Sequence, residues 1–293
     1  MFTRVALSLA IGIAATFAIA DVADDSSPLK LNLRSRVKTA DGKFETVEKP
    51  TEWDPKKTAL VICDMWDHHW CKSAEERVGE LTGPLNEMVK QARQQGVFII
   101  HAPSTCTGFY EGTPARKLAQ QAPFVQPPVP LADTERWGTM WCWPDPQREP
   151  ELPIDDTDMG CDCAEKCEIV PPWTRQTAGI EILPGDALTD NGQETWNLLA
   201  ERGIDNVILC GVHLNMCVLG RPFAIRQMVR LGKNVVLVRD MTDTMYNPKM
   251  RPQVSHFKGT DLMVEHVERY WCPSFASSDI TGGKTFKFKG ARN

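Results

Sequence analysis

A chain of 293 residues with 42% apolar side chains carries enough core-forming material for one large domain or two small ones. Its formal net charge of −5, with no block of lysine or arginine, argues against nucleic acid as a partner. Ten cysteines in so long and apolar a chain do not describe a small disulfide-stapled scaffold.

The first twenty residues, MFTRVALSLAIGIAATFAIA, hold one positive charge at Arg4, an apolar run, and small residues at Ala18 and Ala20. That is the pattern of a secretory signal peptide, so an exported protein, periplasmic or secreted, is expected, with Asp21 as its first mature residue. The run is shorter than the roughly 20 residues of a spanning helix and no stop-transfer pattern follows, so no membrane anchor is expected. Residues 21–50 read as an N-terminal extension in which alternation on either side of Asp41-Gly42 predicts a hairpin.

A domain is expected over 51–275, followed by a tail at 276–293. TALVICD, from Thr58 to Asp64, is a continuous apolar run closed by a carboxylate. Helical spacing follows from Ala74 to a stop at Gly96, and VFIIHAP is a second apolar run. Strand, helix and strand with short joints predict a βαβ unit in a parallel sheet buried on both faces. A segment rich in Pro, Trp and Cys interrupts the alternation from about 104 to 177, with a short helical stretch near Arg116 to Gln121. The pattern resumes with GIEI (179–182) as a strand, a helix from Gly192 to Arg202, the strand NVILCGV, a helix opening at Cys217, the strand NVVLVRD and a helix near Leu262 to Tyr270. The expected fold is an open, doubly wound α/β sheet with one large insertion.

Ligands of such sheets bind beyond the carboxyl ends of the strands, where Asp64, His101, the Gly211–Cys217 turn and Asp240 fall. Cys217 opens a helix, and unpaired N–H groups there favour thiolate over thiol. A nucleophile is the functional reading, and a buried structural cysteine the bland one. Cys63 and Cys210 lie in strand-like runs and read as buried thiols. Cys71, Cys106, Cys142, Cys161, Cys163, Cys167 and Cys272, in polar or loop-like segments, are the disulfide candidates.

ALVICDMWD, the IIHAP strand and CGVHLNMCV resemble the isochorismatase-like cysteine hydrolases, which include nicotinamidases and N-carbamoyl amidases. The resemblance covers about Thr58 to Cys272 apart from the insertion. It implies a six-stranded parallel sheet in the order 3-2-1-4-5-6, Asp64 as general base and Cys217 as nucleophile. It also implies a non-proline cis peptide near Val212 and His213, and an oxyanion hole made by the N–H groups of His213 and Cys217. The expected activity is hydrolysis of a small amide or carbamoyl bond through a Cys thioester. The family's lysine, due just after the third strand near Leu183 or Pro184, is missing, and no lysine occurs between Lys166 and Lys233. Lys166 and Arg175 in the insertion are the nearest cationic substitutes. The alternative is a non-catalytic small-molecule-binding protein on the same fold.

Trp66, His68, His69, His101, Asn215 and Asp240 are the expected pocket residues, and the insertion, with Trp137, Trp141, Trp143 and Trp173, is expected to cover them. No cofactor is expected. A divalent metal held by Asp67, His68, His69 and His101 is the weaker reading, because the D-x-H spacing of metal-binding relatives is not reproduced. DDTDMGCDCAEKC opens like a calcium loop but lacks the later ligands and closing glutamate, so a solvated acidic loop is expected. The expected partner is a small-molecule substrate, and the resemblance implies self-association into a homo-oligomer.

Overall fold

The computed structural model describes residues 27–291, so the expected leader, Met1 to Ala20, lies outside the described residues. The described residues open with β1 (Leu29–Lys38) and β2 (Phe44–Trp53), paired from Leu29↔Trp53 to Lys38↔Phe44, which is the hairpin expected around Asp41-Gly42. It joins the main sheet through Arg34↔Ser274, so this extension is the sheet's outermost pair.

β3 (Thr58–Cys63) is buried along its whole length. Ala59, Val61 and Cys63 enter one core while Leu60 and Ile62 enter the other, so both faces of the strand are covered and no polar alternation survives in the sequence. Each full burial of a side chain such as Leu60 or Ile62 is worth about 1.5–3 kcal/mol. α1 (Lys72–Gln94) covers one face with Leu81, Leu85, Met88 and Val89. β4 (Phe98–Ala102) then pairs parallel to β3. The insertion contains α2 (Pro114–Gln121) and a small hairpin, β5 (Thr134–Arg136) with β6 (Thr139–Trp141).

The third parallel strand is β7 (Ala187–Leu188), not GIEI. In 179–182 only Ile180 is buried, and the segment bends through Pro184-Gly185 before pairing begins. α3 (Gly192–Glu201) is capped by the Asn191 side chain, which accepts from the N–H groups of Gln193 and Glu194. β8 (Asn206–Val212) pairs with β3 on one side and with β9 (Asn234–Asp243) on the other. The single helix expected from Cys217 is two, α4 (Cys217–Gly220) and α5 (Ile225–Arg230), since Pro222 cannot donate to a continuing helix. α6 (His256–Tyr270), β10 (Ser274–Phe275) and α7 (Ser278–Thr281) complete the chain.

Among the described residues the sheet has eight strands in the order β2-β1-β10-β9-β8-β3-β4-β7. Its six parallel members, numbered along the chain, run 3-2-1-4-5-6, and the hairpin accounts for the other two. Leu198, Met228, Met263 and Val267, from α3, α5 and α6, cover the face opposite α1, giving three layers. Among the described residues no helix is long and apolar enough to cross a membrane.

The cysteines differ from expectation. All ten are free, including the seven disulfide candidates. Cys142 and Cys272 are separately buried, and Cys106 turns its thiol to the Pro103 carbonyl at 3.3 Å. Cys71, Cys161, Cys163 and Cys167 gather in one place.

Candidate active site

β3 and β8 are adjacent parallel strands, so their carboxyl ends deliver Asp64 and the Cys217 turn side by side. The approach is close: a Cβ on Gly211 would stand 2.0 Å from the Cys63 carbonyl oxygen, so this position admits only glycine. Asp64 is fully buried with φ of +46°, and its Oδ1 accepts from the Ser104 N–H at 2.6 Å. A cis peptide joins Val212 to His213, at the place the family resemblance implies. In the turn that follows, Leu214 N–H donates to the Asp243 carbonyl, and Met216 and Val218 N–H to that of His213. The N–H groups of His213 and Cys217 are not among these turn bonds.

The cation at the thiol is Arg221. It follows Cys217 by four residues and is 2% exposed, and its Nε lies 3.5 Å from Asp64 Oδ2. Neither atom makes a further hydrogen bond among the described residues, and both side chains act electrostatically on the Cys217 thiol. The Trp141 ring, 5.2 Å from the guanidinium carbon, and the Arg136 carbonyl, 3.4 Å from Nη1, hold Arg221 in place. Gly220 permits this packing, since a Cβ there would meet Trp141 at 2.6 Å.

The electrostatics correct the expectation of a resting thiolate. Burial pushes the Cys217 thiol far up, the Asp64 carboxylate pushes it further, and Arg221 opposes both. α4 is a single turn, too short to add a substantial dipole. Burial also raises Asp64, against the pull of Arg221 and of the hydrogen bonds from Cys217 and Ser104. The resting site therefore holds a protonated thiol beside Asp64, with one fixed cation spanning them. His69 and His213, whose ring centroids are 5.0 Å apart, are buried; burial lowers His69 to about 4 and holds His213 well below the usual imidazole range, so both are neutral at neutral pH.

A cavity of about 370 Å³ opens onto the Cys217 sulfur. Trp66 and Trp173 stack at 4.1 Å along one wall, and Trp70, Trp137, Met159 and Met245 also line the cavity. Of the four insertion tryptophans, Trp137 and Trp173 line the cavity, Trp141 backs Arg221, and Trp143 stands outside it, half-exposed.

Other expected pocket residues are engaged elsewhere. His101 hydrogen-bonds Gln176 and Asp186 at 3.0 and 3.1 Å, and exposed His68 faces Glu75. Asn215 holds Asp156 and the Met245 backbone. β9 continues past Asp240 to Asp243, so Asp240 lies short of the strand end and accepts from Ser277 and Phe286 instead. Lys166 is exposed in the insertion, and Arg175 pairs with Asp67 at 3.7 Å; neither lines the cavity. Asp67 is taken up by Thr174, and with His101 buried against Asp186 the Asp67, His68, His69 and His101 set does not converge on one ion. The acidic stretch 155–158 is spent on local turns and on Asn215 and Asn247.

Residues 187–258, from β7 into α6, match the family model described as isochorismatase domain. Over that segment the chain is similar to the isochorismatase domain. The matched segment holds His213, Cys217 and Arg221, while Asp64 lies upstream of it. Solved structures similar to this chain include a cysteine hydrolase from Pseudomonas syringae pv. phaseolicola 1448A, 14% identical, with a TM-score of 0.49 over 78% of this chain and 92% of that one. An isochorismatase family protein from Burkholderia thailandensis is 16% identical, with a TM-score of 0.42 over 78% and 95% of the two chains. Another from Desulfovibrio vulgaris subsp. vulgaris str. Hildenborough is 14% identical, with a TM-score of 0.38 over 72% and 89%. A comparison with curated proteins returned no match.

Proposed function

We propose that this chain is an exported cysteine hydrolase that cleaves a carbon–nitrogen bond, amide or carbamoyl, in a small molecule with a flat or apolar body. The observation that carries the reading is the meeting of Cys217, Asp64 and Arg221 at the floor of a tryptophan-lined cavity. Asp64 takes the thiol proton as sulfur attacks the carbonyl carbon, and the N–H groups of His213 and Cys217 receive the oxyanion. Collapse of the tetrahedral adduct breaks the C–N bond, and Asp64 returns the proton to the departing nitrogen. Water, deprotonated by Asp64, then cleaves the thioester and restores the thiol.

Arg221 holds the charge constant throughout. Proton transfer from Cys217 to Asp64 moves the negative charge from oxygen to sulfur, and a guanidinium reaching both side chains favours either state. An arginine does not give up its proton in a protein, so every proton step falls to Asp64. This supports catalysis over the binding-only alternative, whose basis was the missing lysine.

The test is ammonia release from a panel of small amides and carbamoyl compounds by the purified chain, with Cys217→Ser as the blank. Release by the parent and not by the variant, with a mass adduct at Cys217 during turnover, is the expected result. An equal rate in Cys217→Ser overturns the proposal.

A further inference from the structure

The four gathered cysteines form a second centre. Cys71 caps α1, immediately after the Trp66 to Trp70 wall of the cavity, while Cys161, Cys163 and Cys167 belong to a loop of the insertion. The sulfurs of Cys71, Cys161 and Cys163 all lie within 4.8 Å of one another, and Cys167, the next cysteine of the loop, interacts with Cys161 and Cys163 from outside that group. Cys71 Sγ and Cys163 Sγ are 3.9 Å apart. A disulfide needs about 2.05 Å. Four sulfurs bound tetrahedrally to one zinc at about 2.3 Å stand about 3.8 Å from each other.

The surroundings are built for thiolates. The first turn of α1 faces the sulfurs, and the Ser73 N–H donates to Cys163 Sγ at 3.4 Å. A helix of 23 residues presents the positive end of its dipole there. Such N–H···S bonds orient ligand sulfurs and offset the negative charge of a tetrathiolate centre. Beside the cluster Asp162 accepts from the Ser73 hydroxyl and from Arg77 at 3.0 Å, so the loop is already pinned to α1.

We propose that Cys71, Cys161, Cys163 and Cys167 bind one structural zinc ion that fastens the insertion to the amino end of α1. Four thiolates leave no open coordination position, so the ion carries no catalysis. The compact sulfur set suits a single ion and not a multi-iron cluster, whose ligands spread around a larger core. Met159 precedes the cysteine loop, and Ile169, Pro171 and Trp173 follow it; all four line the cavity over Cys217. The zinc thus fixes the roof of the proposed active site, although its binding does not depend on what reaction occurs there.

The experiment is metal analysis of the full chain purified under reducing conditions, followed by replacement with Co²⁺. One zinc per chain is expected. The Co²⁺ form should show the near-ultraviolet thiolate charge-transfer and visible d–d bands of a tetrahedral tetrathiolate. Zinc content should fall at least about tenfold in Cys161→Ser with Cys163→Ser, and persist in Cys272→Ser. The spectrum of the parent reports ligand identity even where a variant fails to fold. A reduced chain that takes up no zinc, iron in its place, a Co²⁺ spectrum without thiolate bands, zinc retained by the double variant, or disulfides among these four cysteines in the native protein overturns the proposal.

Discussion

Replacing Arg221 by methionine keeps most of the side-chain bulk and removes the only charge found beside Asp64 and Cys217 among the described residues. With Nε and Oδ2 separated by 3.5 Å, Coulomb attraction at an effective dielectric constant of about 20 amounts to about 5 kcal/mol. Without it the buried carboxyl holds its proton, and a protonated carboxyl is no base. The acid limb of kcat/KM should move to higher pH, and the rate at pH 7 should fall by up to about a thousandfold, the factor to which that energy corresponds at 1.36 kcal/mol per tenfold. Uncompensated burial of Asp64 should also cost about 3–5 kcal/mol of folding stability. Arg221→Lys keeps the charge and should retain most of the profile, with a smaller loss from geometry. The assays are the pH dependence of amide turnover and urea denaturation for both variants. A methionine variant with the parent's rate and pH profile refutes the assignment of Arg221.

Asp64→Asn should lower turnover about a hundredfold or more and, by leaving Arg221 buried without its partner, should lower the melting temperature as well; equal turnover would remove the carboxylate from the mechanism. Glu149, in the insertion, is 3% exposed and accepts from His266 at 2.7 Å, Arg226 at 2.7 Å and Trp271 at 2.8 Å. Burial alone would raise it, but these partners lower it from 4.5 to about 2, so its stabilisation is present above pH 4.5 and is lost as pH falls through about 2. Glu149→Gln should cost about 3 kcal/mol near neutral pH and reduce the acid dependence of stability between those limits; an unchanged acid slope would contradict this. Trp173→Ala opens the cavity wall and should raise KM for the preferred amide several-fold with little change in kcat, as steady-state kinetics will show. Amino-terminal sequencing of the native protein should begin at Asp21, and recovery of Met1 would refute export by a cleaved leader.

The strands buried on both faces were legible because their sequences have no polar side, and that is why Asp64 and Cys217 stood out as strand-end groups. β7 was not legible. Two residues leave no period, whereas the alternation of GIEI mimics a strand that Pro184-Gly185 prevents. Arg221 was missed because a cation was sought after the third strand or in the insertion. The available signal was its four-residue spacing from Cys217, one turn along a helix. Asp240 was misplaced because the apolar run stops at Val238 while β9 pairs onward to Asp243. Cysteine spacing alone did not separate disulfides from a shared site, since Cys71 lies some ninety residues before its neighbours and only the docking of the insertion brings them together.

The two borders of the sheet have a consequence for solubility. Its outer strands are β2, most of whose residues are exposed, and β7, which is two residues long. An open border offers unpaired N–H and C=O groups to any extended chain, including another copy of the protein. β2 carries Glu45, Glu48, Lys49 and Glu52 and breaks its donor row at Pro50, so an incoming strand meets charge and a missing hydrogen bond. β7 is too short to template anything. A parallel sheet forms late and leaves such borders uncovered while the chain folds, so these features guard the protein against aggregation when it is most concentrated and least complete.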